Sequence, residues 1–294
     1  GSPRLIGTAG GPITFWTTGT TGGVALGNFT QLNTMQSGTS GADITIGGGA
    51  ASLSDANRPS GAAEHSGADG ISLGAGPATS VVVMRAGTGA ISLNGHSTGT
   101  GDFSGINLYP GNDLVGATVN MRGVTGYNAL GEGGSGIFGY YNSSAKTVIH
   151  ATASFATDTP AVQLYSESGS SWGSLFGPWV SSSTDGITVR ASGDRAGVVI
   201  TGTTSRAAMV GLWIGGLTLE TKNGPTILDS ADDYSVLGRP GRTFTYRPVG
   251  GPGGDITFRT AHNTDFQPVD ISTAGKVSYL PSGTGFTFAQ TFPA

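Results

Sequence analysis

The sequence is dominated by short triplets in which one polar residue stands between two apolar residues. Examples are Ile44-Thr45-Ile46, Ile91-Ser92-Leu93 and Ile106-Asn107-Leu108. Alternation with a period of two indicates a strand with one buried face. Glycine-rich turns separate the triplets, and no window has the i, i+3, i+4, i+7 spacing of an amphipathic helix. The chain is therefore predicted to be all-β, with very short strands.

The triplets recur within a similar four-residue motif, as in Gly70-Ile71-Ser72-Leu73, Gly105-Ile106-Asn107-Leu108 and Gly186-Ile187-Thr188-Val189. Degenerate repeats of this kind are typical of a solenoid, because each repeat buries its apolar face only against its neighbours. We predict a parallel β-helix over residues 1–294, with two strands in each coil of roughly 20–25 residues. A β-sandwich is the alternative, since it also joins short strands by regular turns. The scarcity of long alternating runs favours the solenoid.

The regular spacing of the triplets is interrupted at residues 165–186 and 229–254. Both segments are predicted to be loops extruded from the coils. Proline and clustered charge do not fit an inner strand. The first segment holds the aromatic residues Trp172, Phe176 and Trp179 among serines and glycines. The second holds the charged residues Asp229, Asp232, Asp233, Arg239 and Arg242.

The composition excludes several classes of function. Of 294 residues, 53 are glycine, 36% are hydrophobic and only 11% are charged, with a net charge of −4. The few arginines and lysines are scattered, so no nucleic-acid partner is expected. The absence of cysteine leaves packing and backbone hydrogen bonds to hold the fold. Gly1 and Ser2 are typical of a cloning site, and we expect the chain to be a segment of a longer protein.

The catalytic and metal-binding motifs in the sequence are interpreted as chance matches. Segments 95–99 and 169–173 both fit G-x-S-x-G. That motif needs a strand-to-helix turn, and no helix is predicted, so Ser97 is interpreted as a spacer residue. The four histidines lack metal-ligand spacing. The segment 250–255 is similar to a calcium-binding nonapeptide, but it occurs once and Thr257 replaces the apolar residue required. No catalytic residue, metal or cofactor is predicted.

The two interrupting segments supply the candidate binding residues. Exposed aromatic side chains among serines and glycines suit carbohydrate, so Trp172, Phe176 and Trp179 are candidate sugar contacts. Because β-helices also host polysaccharide lyases and hydrolases with clustered carboxylates and arginines, segment 229–254 is the alternative site. The charged residues of this segment are interpreted as part of a solvated loop, in which they form salt bridges with each other.

Three passages carry a resemblance to a known family: "GADITIGGGAASL", "GAISLNGHSTGTGDFSGINLYPG" and "GKVSYLPSGTGFTFAQTFPA". They resemble the repeat region of filamentous haemagglutinin-like exoproteins, the adhesins that bacteria export by two-partner secretion. The likeness covers residues 40–125 and 255–294 best. The N-P-N-L and N-P-N-G-I elements of that family's secretion domain do not occur here.

The resemblance implies a right-handed parallel β-helix that is secreted or held at the bacterial surface. It also implies a dedicated outer-membrane transporter and a role in adhesion, cell–cell aggregation or biofilm. We therefore expect a non-catalytic, monomeric stalk that binds host or bacterial glycans or exopolysaccharide. The alternative is an extracellular polysaccharide lyase or glycoside hydrolase, or a protein similar to phage tailspikes.

Overall fold

The computed structural model describes the part of the chain that forms the regular sheets. The described residues are 4–36, 38, 40–48, 61–75, 81–99, 101–126, 134–139, 145–169, 172–176, 186–204, 210–214, 216–230, 234–237, 243–260, 264–266 and 269–281. Within them the chain forms 27 strands and no helix, which confirms the all-β prediction.

The first sheet, sheet I, has nine strands. In spatial order they are β1 (Arg4–Gly7), β4 (Thr30–Asn33), β8 (Val82–Arg85), β11 (Asp113–Gly116), β14 (Thr147–Ala151), β17 (Ile187–Ala191), β20 (Leu217–Thr221), β23 (Phe244–Pro248) and β26 (Val269–Ile271).

The second sheet, sheet II, has ten strands. In spatial order nine of them are β2 (Ile13–Thr17), β5 (Ile44–Gly48), β9 (Ile91–Ser97), β12 (Val119–Thr125), β15 (Thr159–Ser168), β18 (Ala196–Thr204), β21 (Thr226–Ser230), β24 (Ile256–Thr260) and β27 (Val277–Pro281). The tenth strand, β6 (Ala63–His65), pairs with the second half of β9.

The third sheet, sheet III, has eight strands. In spatial order they are β3 (Val24–Leu26), β7 (Ile71–Leu73), β10 (Ile106–Leu108), β13 (Ile137–Gly139), β16 (Trp172–Phe176), β19 (Val210–Ile214), β22 (Tyr234–Leu237) and β25 (Thr264–Phe266).

The chain visits sheets I, II and III in rotation, apart from the additional strand β6. Every pairing between two of the 27 strands is parallel, and only two isolated bridges, Thr21–His65 and Gly48–Gly61, are antiparallel in the described residues. This does not fit the antiparallel sheets of a β-sandwich. The arrangement is compatible with a parallel β-helix. Each sheet takes every third strand rather than every second one, so the prediction of two strands per repeat is wrong. Aligned residues are distant in the sequence: for example, Arg247 is 27 residues from Glu220, Arg190 is 30 residues from Glu220, and Thr125 is 43 residues from Ser168.

The parallel register stacks equivalent positions of successive strands into rows. In sheet II one inward row contains Ile44, Ile91, Val119, Val162 and Val198, and all five are fully buried. Sheet I has a similar inward row, which runs through Leu32, Met84, Leu114, Ile149, Val189, Leu219 and Tyr246. The apolar residues of the triplets thus form the core, and the polar residues between them face outward.

Four glycines mark the close approach of sheet II to the beginning of sheet III. A Cβ on Gly95 would lie 2.1 Å from the carbonyl oxygen of Gly105, and a Cβ on Gly123 would lie 2.0 Å from that of Gly136. These distances leave no room for any side chain. This close approach explains the Gly-Ile motif at Gly105-Ile106 and Gly136-Ile137, because both glycines directly precede strands of sheet III, whereas Gly186-Ile187 begins a strand of sheet I.

The segments predicted to be extruded loops contain strands instead. β15 continues to Ser168 and β16 lies within 165–186, while β22 and β23 lie within 229–254. Charge and proline are accommodated because the charged residue faces outward and the proline ends its strand. Arg247 is exposed on the outer side of β23, and Pro248 is the last residue of that strand.

We expect the Gly123→Ala substitution to destabilise the protein strongly, because the added methyl group would overlap the backbone of Gly136. Overpacking of this kind costs about 1–3 kcal/mol or more. Gly27→Ala is the matched control, since a Cβ there would meet nothing within 4 Å. Denaturant unfolding of both variants measures the difference. Equal midpoints for the two variants would contradict this packing.

Candidate functional site

The predicted sugar-binding residues lie partly outside the described residues. Trp172 and Phe176 are the first and last residues of β16 in sheet III, and Trp179 lies beyond the described part of the chain. These three residues stay predicted glycan contacts.

The alternative site is likewise only partly described. Asp229 lies on β21, and its Oδ2 atom is 3.6 Å from Nη1 of Arg259 on the neighbouring strand β24. The other four predicted residues, Asp232, Asp233, Arg239 and Arg242, fall outside the described residues. The partner that the structure gives to Asp229 is therefore a residue that the sequence analysis did not select.

A row of charged side chains crosses the outer face of sheet I, and the sequence analysis missed it. The aligned positions carry Arg85, Val115, His150, Arg190, Glu220 and Arg247 in successive strands. We call these six residues the charged row. Its sequence signal is a charged or imidazole side chain directly after a strand triplet, as in "VVMR", "TVIH", "ITVR", "LTLE" and "FTYR".

Glu220 is the central acid of the charged row. Its side chain is only 3% exposed, and Oε1 accepts a hydrogen bond from Nε of Arg247 at 2.7 Å. Oε2 accepts a second hydrogen bond from Nε of Arg190. Burial acts to raise the pKa of Glu220, but the hydrogen bonds and charges of the two arginines outweigh it and lower that pKa. A carboxylate held in this way stays ionised and is a poor proton donor.

His150 lies next to Arg190 in the same row. Its Nε2 atom is 2.8 Å from the hydroxyl oxygen of Ser192. Burial lowers the pKa of His150, and the Arg190 charge lowers it further. The charges of Asp113 and Glu220 act to raise the pKa of His150, but the pKa stays below its ordinary value. His150 is therefore an uncharged imidazole at neutral pH, with Val115 on one side of it in the row and Arg190 on the other.

A second cluster lies where the turn after β6 meets β10, and consists of His65, Asp69, Asn107 and Tyr109. We call it the Asp69 cluster. The backbone N–H of Ser104 donates to Oδ1 of Asp69 at 2.7 Å, and Nδ2 of Asn107 donates to Oδ2 at 2.8 Å. Burial nevertheless raises the pKa of Asp69. Burial and the Asp69 charge also raise the pKa of Tyr109. Carboxyl and phenol groups whose pKa values are shifted by burial and by each other are typical of candidate functional sites.

The outer face of sheet II is polar and contains an aromatic ring. One outward row contains Ser92, Asn120 and Gln163, and the next row contains Arg122 and Tyr165. We call these five residues the polar face. The Arg122 guanidinium carbon lies 5.6 Å from the Tyr165 ring centroid. Amide groups donate and accept hydrogen bonds, and an aromatic ring offers an apolar surface with a polar edge. This combination suits the hydroxyls and carbon faces of sugars.

Ser97 does not have the geometry of a hydrolase nucleophile. It is the last residue of β9, it is fully buried, and its hydroxyl donates to the carbonyl of Ala68 at 2.9 Å. Histidines in the same region have structural contacts, because His96 Nδ1 lies 3.1 Å from Glu64 Oε1. The described residues contain no group of three or more His, Cys, Asp or Glu that could hold a metal ion.

Comparisons with protein-family models, with curated proteins and with solved structures found no significant match. No helix long and apolar enough to cross a membrane occurs in the described residues.

We expect Glu220→Gln to destabilise the protein by about 1–3 kcal/mol, because Arg190 and Arg247 lose a charged acceptor while their own side chains, 35% and 59% exposed, stay hydrated. Glu167→Gln is the matched control. Glu167 is 43% exposed, and its carboxylate lies 4.0 Å from Arg122, so its loss costs at most about 1 kcal/mol. Denaturant unfolding at neutral pH measures both changes. Similar costs for the two variants would show that the buried pairing is not a major source of stability.

We also expect the stability of the folded protein to fall as the pH drops through the ordinary histidine pKa of 6.5. The pKa of His150 is lowered in the folded state, so the unfolded chain takes up the proton first and is favoured in acid. Unfolding free energies from about pH 8 to about pH 5 should fall less for His150→Gln than for the original protein. An unchanged pH slope would contradict the assigned environment of His150.

Proposed function

We propose that the chain forms a right-handed parallel β-helix and serves as a non-catalytic segment of a secreted or surface-bound bacterial adhesin. In this proposal the segment is a stiff stalk that mediates adhesion, cell–cell aggregation or biofilm formation. It presents a glycan-binding surface along one side.

The single observation that carries the proposal is the in-register parallel pairing of every third strand in three long sheets. Parallel strands are separated by about 4.8 Å, so the nine strands of sheet I extend about 40 Å. Backbone hydrogen bonds then run along the long axis of the rod. Nearest-neighbour stacking makes such a rod stiff without disulfides, in agreement with a chain that has no cysteine.

The pairing of charges in sheet I supports a non-catalytic role. Glu220 is occupied by two arginines, and Arg85 donates to the carboxylate of Asp113 on the adjacent strand. Acid–base catalysis needs a group whose pKa lies near the working pH. The lowered pKa of Glu220 is a property of a structural ion pair.

The polar face of sheet II is the proposed glycan-binding surface. Asn120 and Gln163 stand next to each other on neighbouring strands, with Arg122 and Tyr165 in the adjacent row. The strand spacing of about 4.8 Å is close to the length of a sugar unit, so an extended neutral polysaccharide can contact several strands in succession. Trp172, Phe176 and Trp179 are proposed as further contacts. Export through an outer-membrane partner rests only on the resemblance described above.

We expect Tyr165→Ala to weaken binding to a recognised polysaccharide by about tenfold, which corresponds to about 1.4 kcal/mol, because the apolar ring surface is lost. Binding is measured on a panel of immobilised neutral and acidic glycans. Tyr165→Phe keeps the ring and separates its contribution from that of the hydroxyl, which donates to Glu167 at 3.2 Å. Thr188→Ala on the outer face of sheet I is the control for a distant position.

If Tyr165→Ala keeps the melting temperature of the original protein but loses polysaccharide binding, the result supports the polar face as the glycan-binding site. Equal binding by Tyr165→Ala and the original protein would show that the glycan-binding site is not at the polar face. Failure to bind any glycan of the panel would leave a stalk without sugar recognition and contradict that part of the proposal.

A polysaccharide-degrading enzyme is the second candidate function, and the Asp69 cluster favours it. Asp69 has a raised pKa and lies close enough to Tyr109 to raise the phenol pKa as well. A buried carboxyl group with a raised pKa is the kind of group that can donate a proton in glycosidic bond cleavage. New reducing ends or unsaturated sugars from a polysaccharide, lost in Asp69→Asn, would establish this candidate over the adhesin.

A further inference from the structure

Arg190 and Arg247 flank Glu220 in the charged row, and each of them uses only part of its hydrogen-bonding capacity. Within the part of the chain that the structure describes, each guanidinium donates through Nε alone, and the Glu220 carboxylate is the acceptor. An arginine also carries N–H donors on Nη1 and Nη2. In the described structure, the Nη donors of both side chains are therefore open to a ligand.

The Glu220 carboxylate holds the two guanidinium groups in place. It is almost completely buried, and each of its oxygens accepts a hydrogen bond from one arginine. The side chains of Arg190 and Arg247 are themselves partly exposed. A guanidinium that is already fixed loses less conformational entropy when it binds a ligand, so the pair of arginines is preorganised.

Glu220 neutralises only one of the two arginine charges. The neighbouring ion pair of Arg85 with Asp113 carries no net charge. On the strand after β23, Asp270 forms no ion pair with Arg247 in the described structure. The outer face of sheet I therefore keeps a local positive charge, although the whole protein has a net charge of −4. Such a place attracts an anionic group.

Hydroxyl groups lie next to both arginines. Thr245 is two residues before Arg247 on β23, and side chains two residues apart on a strand point to the same face. Ser192 is two residues after Arg190, and its hydroxyl oxygen lies 2.8 Å from Nε2 of His150 in the charged row. The hydroxyl and imidazole groups can donate or accept hydrogen bonds, as a ligand with several hydroxyls requires.

We propose that Arg190 and Arg247 bind a carboxylate or sulfate group of an acidic polysaccharide on the outer face of sheet I. The two Nη nitrogens of a guanidinium form a planar fork that matches two oxygens of such a group. Sugar hydroxyls on either side of the acidic group contact Thr245 and the Ser192–His150 pair.

This site differs from the polar face of sheet II in its location and in its ligand, which is acidic rather than neutral. The inference therefore rests neither on glycan binding at the polar face nor on a role in adhesion. Nucleic acid is a poorer match. A phosphate backbone is bound by a run of basic side chains, whereas the acidic Glu220 stands between the two arginines here.

The test compares three probes that share one sugar backbone: dextran, carboxymethyl dextran and dextran sulfate. Isothermal titration calorimetry at neutral pH and low salt measures the affinity of each. At least one charged dextran should bind, and the derivative that binds identifies the acidic group as carboxylate or sulfate. Added salt should weaken this binding, because the attraction between partly exposed charges is screened.

Arg247→Gln should lower the affinity for the charged dextran by about tenfold, because charge-assisted hydrogen bonds are lost. Arg195→Gln is the matched control. It also removes one positive charge, from a side chain that is 49% exposed and pairs with Asp158 at 3.1 Å. The control should leave the affinity for the charged dextran nearly unchanged.

Arg247→Lys keeps a positive charge beside Glu220 but loses the guanidinium fork, so its affinity should lie well below that of the original protein. Melting temperatures are measured for all variants, and Arg247→Lys carries the test if Arg247→Gln does not fold. No binding of either charged dextran, equal losses in Arg247→Gln and Arg195→Gln, or full affinity in Arg247→Lys would each overturn the inference. Neutral glycan binding is measured separately with Tyr165→Ala, so a failure at the arginines is distinguishable from a failure of the polar face.

Discussion

The structure depends on the parallel backbone pairing between each strand and its equivalent in the next repeat, which is three positions later in the chain, or four where β6 intervenes. Because this pairing keeps its register from strand to strand, every position in a repeat is stacked on its equivalent. A triplet of three residues is too short to form a stable sheet by itself. Stacked in rows, the same triplets form one continuous apolar core that extends through the described sheets.

Close backbone contact is the second consequence of this pairing. The corner between sheets II and III brings two backbones so near that only glycine fits at Gly95, Gly105, Gly123 and Gly136. Part of the high glycine content is thus a requirement of the tight turns between sheets and does not indicate disorder. These four glycines are therefore explained by the close approach of the two sheets.

The outer faces differ in chemistry although they share one backbone pattern. Sheet I concentrates charges that neutralise each other, with Glu220 buried between two arginines. Sheet II presents amides, hydroxyls and the Tyr165 ring, and its ion pairs are longer: Arg122 and Glu167 lie 4.0 Å apart, and Arg259 and Asp229 lie 3.6 Å apart. The first face holds a buried carboxylate, whereas the second is the proposed contact surface for neutral ligands.

The sequence by itself determined the all-β class, the apolar identity of the inward positions and the polar character of the outward ones, because alternation is a local property of the chain. Only the tertiary structure decided that three strands form each repeat, since a triplet does not reveal which sheet it joins. It also decided that segments 165–186 and 229–254 contribute strands, and that Arg190, Glu220 and Arg247 meet. Those three residues are 30 and 27 residues apart, and they become neighbours only because the parallel register aligns distant strands.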